Sequence, residues 1–390
     1  MSTEMALRSY KFRLYPDKKT ETTLIRTLES CRWLFNHFLE RRNEGWNKGK
    51  IQSEIPELVE QYPFLAEVHS KTRQYVLWQQ SANLKALKSL KAKGRKTGTL
   101  RFRGKGRFKT FVYNQSGFEI WENKLHLSKI GDISMRQHRE IEGDIKQVSI
   151  KRTPTNKWYA ILTAECAQPT PSHKTGAVGI DLGITKFVTD SNGNSVEHPH
   201  SLRKRLDNLR KEQRRLSRKK KGSKNRKRQR LKVARVHEKV ENSRNDFLHK
   251  LSRQYVNSYG LIAVEDLDVK GLVEMQYNSL NALDSSWSTF IHMLDYKAES
   301  AGVWLVKVDP KNTTQECSVC STYVYKPLWE RTHSCSQCGV VIDRDYNAAK
   351  NILTKALECI GQELPEFTPV EIGPLPLGAS PVVEAGRSGL

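Results

Sequence analysis

The chain has 390 residues, a formal net charge of +24 and a sequence pI of about 9.7. That length makes room for two or three domains, and that charge implies a polyanionic partner, most simply nucleic acid. No apolar run is long enough to span a bilayer and no signal-peptide core opens the chain, which points away from membrane and secreted proteins and toward a cytoplasmic one.

Residues Arg8 to Tyr15 alternate as a strand that Pro16 ends. From Lys19 to Asn47 the period becomes helical, with Leu24, Leu28, Cys31, Phe35, Phe38 and Leu39 on one face. A second helix is expected over Lys71–Lys93, with Tyr75, Leu84, Leu87 and Leu90 inward. Residues 95–109 are basic and glycine-containing, and interleave Phe102 and Phe108 with Arg and Lys. That mixture suits base stacking and phosphate neutralisation, or forms an ordinary exposed loop. Phe118–Trp121, Lys124–Leu127, Ile145–Arg152 and Trp158–Cys166 read as antiparallel strands, the last two joined at Pro154-Thr-Asn156. With residues 8–15 they suggest a small β-barrel carrying a helical insertion. Ala167–Lys174, with two prolines, is a linker candidate.

A new module begins at Ala177-Val-Gly-Ile-Asp181-Leu-Gly183, an apolar strand ending in an acid. Phe187–Thr189 and Ser195–Glu197 follow as strands around a turn at Ser191–Asn194. Between Arg203 and Arg235 stand eighteen Lys or Arg and two acids, Asp207 and Glu212. Leu202, Leu206, Leu209 and Leu216 keep helical spacing. Lys221–Asn225 breaks it, and Val236, Val240, Phe247, Leu248 and Leu251 define a second helix. The pattern is a basic helical hairpin; it serves nucleic-acid contact or is a solvated pair or localisation signal. Tyr259–Leu267 is another buried strand, ending in Glu265-Asp266. A helix over Trp287–Ala301 and a strand over Val303–Val308 complete the module.

Cys317-Ser-Val-Cys320, fourteen residues, then Cys335-Ser-Gln-Cys338 set two thiols on each of two tight turns. Four thiolates complete a closed tetrahedron, so the expected ion is a structural Zn²⁺ with no open position for water. Gly339 follows the second pair where the backbone crosses to positive φ. Ser321 takes that place after the first, and a slight distortion of that knuckle is expected. Cys31, Cys166 and Cys359 read as reduced core residues. Asp345 heads a helix running through Leu357. The stretch from Gln362 to Leu390, rich in Pro, Gly and Ser, is expected to be disordered.

Asp181 and Glu265 end apolar strands, and Asp345 sits in a first helical turn. Strand ends converge at one edge of an α/β sheet, so the three carboxylates can meet. Such hard oxygen ligands suit Mg²⁺, and three of them hold two ions about 4 Å apart around a scissile phosphate. Each acid also has a plain reading: a strand terminus, or a helix cap, a duty open to Asp343 as well as Asp345. Gly179-Ile-Asp181-Leu-Gly183 alone also resembles the opening of sugar-kinase and actin-like ATPases.

In this order, the motifs resemble the TnpB family, RNA-guided nucleases of insertion sequences and relatives of compact type V CRISPR effectors. Tyr10–Pro16 and Cys31–Asn36 are similar to the family's opening, and Gly179–Gly183 to its first RuvC motif. His237–Lys250 is similar to its bridging helix, Val264–Leu267 and Asp343–Asn351 to its second and third RuvC motifs. The resemblance implies a multidomain α+β chain: a wedge β-barrel (1–16 plus 105–170) with an inserted helical recognition lobe (17–104). An RNase H-like RuvC α/β nuclease (174–310 plus 340–358) follows, with an inserted target-nucleic-acid-binding zinc ribbon (311–339) and a disordered tail (360–390). Asp181, Glu265 and Asp345 match the family's catalytic, Mg²⁺-binding triad; Cys317, Cys320, Cys335 and Cys338 match its zinc ligands. The implied protein is a prokaryotic, nucleoid-associated DNA endonuclease. As a monomer it binds guide RNA from the transposon end and cuts double-stranded DNA beside a short adjacent motif. A guide-directed repressor and a DNA transposase accessory protein are the competing readings.

Overall fold

The computed structural model describes residues 5–167, 174–200, 203–267, 286–327 and 329–361. Leu202, most of the 167–174 linker and the expected tail lie outside them, apart from Ile360 and Gly361. The chain divides into two compact units, Met1–Gln168 and Pro169–Leu390.

In the first unit, β1 (Met5–Tyr15) is followed by three helices before the remaining strands begin. Helix α1 (Lys18–Asn43) starts at Asp17, whose carboxylate accepts from Thr20 N at 2.7 Å, and ends with Arg41 and Arg42 near the negative helix terminus. Helices α2 (Lys48–Gln61) and α3 (Ser70–Ala92) follow. Sequence periodicity missed α2, because Lys, Gln, Ser and Glu dilute its Ile51–Ile55–Leu58 stripe and Pro56 interrupts it. The inner face of α3 is Thr72, Val76, Leu77 and Gln80, one step round from the expected one. Tyr75, Leu84 and Leu87 are half-buried and Leu90 is exposed. Gln80 explains the rotation: its amide donates to Phe35 O at 3.0 Å and its carbonyl accepts from Arg42, so a polar residue holds the α1 contact.

Six strands complete the sheet: β2 (Thr110–Asn114), β3 (Phe118–Trp121), β4 (Lys124–Leu127), β5 (Gly131–Arg136), β6 (Asp144–Arg152) and β7 (Trp158–Ala167). Their order is β2-β6-β7-β1-β5-β4-β3, antiparallel at every pairing. Asn156 takes φ +64° in the β6–β7 turn, as the Pro-Thr-Asn signal predicts. The two edges nearly close on each other: Tyr113 Oη of β2 donates to Ser128 O, just past β4, at 2.6 Å. One apolar core joins Phe12, Leu14, Trp158 and Leu162 of the strands to Leu28, Phe35 and Phe38 of α1.

The second unit holds a five-stranded sheet in the order β10-β9-β8-β11-β12. Strands β8 (Ala177–Asp181), β11 (Leu261–Glu265) and β12 (Trp304–Val308) run parallel, and β9 (Lys186–Asp190) and β10 (Ser195–Glu197) are antiparallel. Every residue of β8 and β11 is buried, as expected for strands covered on both faces. Helices α5 (Lys224–Ser258) and α6 (Trp287–Ala301) share a core with those strands, with Leu248, Tyr255, Phe290 and Leu294 against Val178, Ile180 and Val264. A second cluster sets Ile352, Leu353 and Ala356 of α7 (Arg344–Ile360) against Ala177, Leu261 and Ala263. Cys31 and Cys166 are buried as read, whereas Cys359 is exposed, and its neighbour Ile360 is the residue of the last turn of α7 packed against the sheet.

Gly179 sets how closely α7 lies on β8. A β-carbon there would fall 2.1 Å from Ala349 O and 2.8 Å from Leu353 N. Gly179→Ala must therefore push the helix off the strand, and we expect a loss of about 1–3 kcal/mol in urea unfolding, with α7 displaced.

Candidate functional site

Parallel pairing puts two acids side by side. The β8–β11 register runs from Ala177↔Leu261 to Ile180↔Val264, and one further step sets Asp181 beside Glu265. Both are 8% exposed. Burial, then the charges of Glu265 and Asp345, push the Asp181 carboxyl well above the usual carboxylate range. Burial also raises Glu265, against a hydrogen bond from Thr313 and the charge of Lys355.

Asp345 arrives on α7. Asp343 is the cap: its Oδ1 accepts from Asp345 N at 2.9 Å and Tyr346 N at 3.1 Å. That leaves the Asp345 carboxylate free of capping duty. Arg331 Nη1 and Arg344 Nε lie 3.7 and 3.6 Å from its Oδ1. Nothing in the spacing of Arg331 announced that position; its neighbour Arg344 lies within the third acidic motif. The structure thus brings the three sequence-predicted acids into one electrostatic cluster at the ends of β8 and β11 and the head of α7.

The four cysteines also converge. Cys317 Sγ lies 3.6 Å from Cys338 Sγ and Cys320 Sγ 3.6 Å from Cys335 Sγ, and all four sulfurs lie within 4.8 Å of one another. A zinc–sulfur bond of about 2.3 Å makes a tetrahedral edge of about 3.8 Å, so the thiols fit that ion. Among the described residues this is the cluster with metal-ligating spacing of that tightness. Hydrogen bonds with Thr322 pull the Cys320 thiol below its ordinary value, toward the thiolate a metal needs.

The two knuckles match. Ser321 N donates to Cys317 O at 2.8 Å and Gly339 N to Cys335 O at 2.9 Å; Cys317 N reaches Thr322 O at 3.0 Å and Cys335 N reaches Val340 O at 2.9 Å. Ser321 adopts φ +59° and Gly339 +73°. The first knuckle keeps its hydrogen bonds, and the departure from glycine appears as a serine held in left-handed backbone.

The basic helical hairpin forms from α4 (Leu206–Ser217) and α5. Gln229 Nε2 donates to Glu212 Oε2 at 2.6 Å, and Arg226 Nη1 to the carbonyls of Leu216 and Lys219, both at 2.9 Å. Of its eighteen cations, all but Arg205 and Arg226 are exposed. In the first unit the basic loop is pinned on α1. Asn36 exchanges two hydrogen bonds with the Arg103 backbone, and Glu29 accepts from Gly106 N at 2.8 Å. Phe108 enters the core and Phe102 stays 58% exposed, so the two aromatics do different work.

Known proteins resemble this chain in sequence and in fold. The IS605 OrfB family model, described as "Probable transposase", matches residues 150–276. A Cas12f1-like TNB domain matches 287–352 and a helix-turn-helix domain 5–50. Here 5–50 is a strand, the single long helix α1 and the first turn of α2. A "Putative RNA-guided DNA endonuclease" of Streptomyces pristinaespiralis is 35% identical over 365 residues, covering 90% of this chain and 89% of that one. This chain belongs to the TnpB family. A "Putative RNA-guided DNA endonuclease InsQ" of Escherichia coli K12 is 30% identical, covering 89% of this chain and 92% of that one. A Cas12f1–sgRNA–target DNA complex aligns with a TM-score of 0.54 at 15% identity, covering 89% of this chain and 98% of that one, a likeness of fold. No described helix of this family member is long and apolar enough to cross a membrane.

Ser321→Gly should relieve the left-handed strain at that position and stabilise the cysteine module by about 1 kcal/mol. Slower zinc release to a chelator, with unchanged zinc content, is the expected reading.

Proposed function

We propose that the chain is an RNA-guided, Mg²⁺-dependent DNA endonuclease, with Asp181, Glu265 and Asp345 as its catalytic carboxylates. The observation that carries the reading is that Asp181, at a buried strand end beside Glu265, also feels the charge of Asp345 from α7, in a protein of net charge +24. Burying that much negative charge is costly without a cation. Arg331 and Arg344 stand 3.7 and 3.6 Å from Asp345 Oδ1. Burial remains the largest influence on Asp181 and Glu265, and three hard carboxylates of this kind suit a divalent cation. Asp181, Glu265 and Asp345 would hold it. Mg²⁺ held there would supply an activated water and charge stabilisation for the leaving oxygen of a phosphodiester.

The residues of the chain divide the remaining work. The exposed cations of the α4–α5 hairpin hold phosphate backbone without reading bases, as suits a protein that leaves specificity to guide pairing. Cys317, Cys320, Cys335 and Cys338 hold a structural Zn²⁺. The domain reading is a wedge barrel (1–16 plus 105–170), a recognition lobe (17–104), an RNase H-like RuvC nuclease (174–310 plus 340–358) and a zinc ribbon (311–339). The nearly closed seven-stranded sheet, the mixed five-stranded sheet and the four-thiol cluster support it. The partners are a guide RNA from the transposon end and double-stranded DNA carrying a short adjacent motif, bound by a monomer.

Asp181→Ala should lower target cleavage about 10³-fold or more, with guide RNA retained on the purified protein. Undiminished cutting by a homogeneous variant would remove Asp181 from the reaction. Cys335→Ser should lower bound zinc from one equivalent toward none by metal analysis, with reduced cleavage; full zinc content in that variant would contradict the ligand set.

A further inference from the structure

Glu265 is held by a partner that neither its burial nor its strand requires. Thr313 Oγ1 lies 2.5 Å from Glu265 Oε1, across 48 residues of chain. Thr313 Oγ1 is also 3.1 Å from Pro310 O; its single hydroxyl proton goes to the shorter contact, Glu265 Oε1. Thr313 is 2% exposed. Its backbone is fixed in turn from α7. Asn351 Nδ2 donates to Thr313 O at 2.8 Å and Glu316 O at 2.7 Å. One turn earlier, Asn347 Nδ2 donates to Glu316 O at 2.7 Å, and its Oδ1 accepts from Ser318 N at 2.9 Å. Both asparagines are buried. The helix that delivers Asp345 therefore also grips the segment entering the first cysteine knuckle, and that segment grips Glu265.

We propose that Thr313 is a positioning residue for Glu265, held by the Asn347–Asn351 clamp, so that the cysteine module sets the geometry of the divalent-cation site. The proposal rests on the reading of Glu265 as a metal ligand. A donor on Oε1 limits rotation of the carboxylate that would ligate the cation. Outer partners of this kind are worth about 10–100-fold in metal affinity when removed. Thr313 is matched in shape by valine, which separates hydroxyl from packing.

The test uses the full chain with its co-purified RNA. Mn²⁺ binding is titrated by electron paramagnetic resonance without target DNA, with the Asp181→Ala complex as the blank for ions held by RNA. The Mg²⁺ dependence of cleavage is measured in parallel. Thr313→Val is expected to raise half-saturating Mn²⁺ and Mg²⁺ about tenfold, with zinc content and target-DNA affinity unchanged. Thr313→Ser should restore both. Wild-type Mn²⁺ affinity in Thr313→Val overturns the proposal. Where the valine variant loses zinc, Thr313→Ala replaces it in the same comparison, and wild-type Mn²⁺ affinity there overturns the proposal equally. Glu265→Gln is run alongside. Wild-type binding and cutting by it would sink the catalytic reading of Glu265 itself. A dead Glu265→Gln beside an unaffected Thr313→Val would sink the positioning of Thr313 alone.

Discussion

The close seating of α7 on β8 is the constraint from which the second unit takes its shape. At Gly179 the helix backbone comes so near the strand that no side chain fits between them. That approach does three things at once. It buries Ile352, Leu353 and Ala356 against the sheet, brings the head of the helix to the ends of β8 and β11, and turns Asn347 and Asn351 toward the cysteine module. A residue with no side chain thus governs three carboxylates and four thiols that it never touches.

The acids illustrate how electrostatic cost is arranged rather than avoided. Asp181 and Glu265 lie at the ends of strands whose every residue is buried, where ionised carboxylates are unfavourable. Asp345 stands at a helix N-terminus, where backbone dipoles favour negative charge and Asp343 takes the capping work. Outside this cluster, Asp190 is also fully buried, yet it accepts from Asn192 N, Asn194 N and Tyr255 Oη and simply closes the β9–β10 turn. Buried acids in the same sheet therefore differ by their surroundings: Asp190 is satisfied by several donors, whereas Asp181 and Glu265 stand side by side at strand ends, with Thr313 as a donor to Glu265.

Much of this was legible in residue order. Strand ends at Asp181 and Glu265 were readable because apolar runs of four stop at an acid. The cysteine pairs were readable because ligand spacing is a local property. The basic hairpin was readable because Lys221–Asn225 interrupts two helical periods. The inner face of α3 was not, because Gln80 fills an inward place through hydrogen bonds that hydrophobic periodicity does not register. Helix α2 escaped because polar residues dilute its short apolar stripe. Thr313 and Arg331 escaped for a different reason: their partners lie 48 and 14 residues away in sequence, and no period links them. The serine-for-glycine departure at Ser321 was visible, but its consequence, a positive φ with intact hydrogen bonds, was a matter of backbone geometry.

The acid cluster is also assembled from distant parts of the chain. Asp181 and Asp345 are separated by 164 positions, and the basic hairpin lies between them, at residues 203–235. During synthesis the surface that holds phosphate therefore leaves the ribosome well before the helix that carries the third carboxylate. A nascent chain can meet its polyanion while the acid cluster is still incomplete. The order of the sequence separates in time two capacities that the finished fold holds in one compact unit.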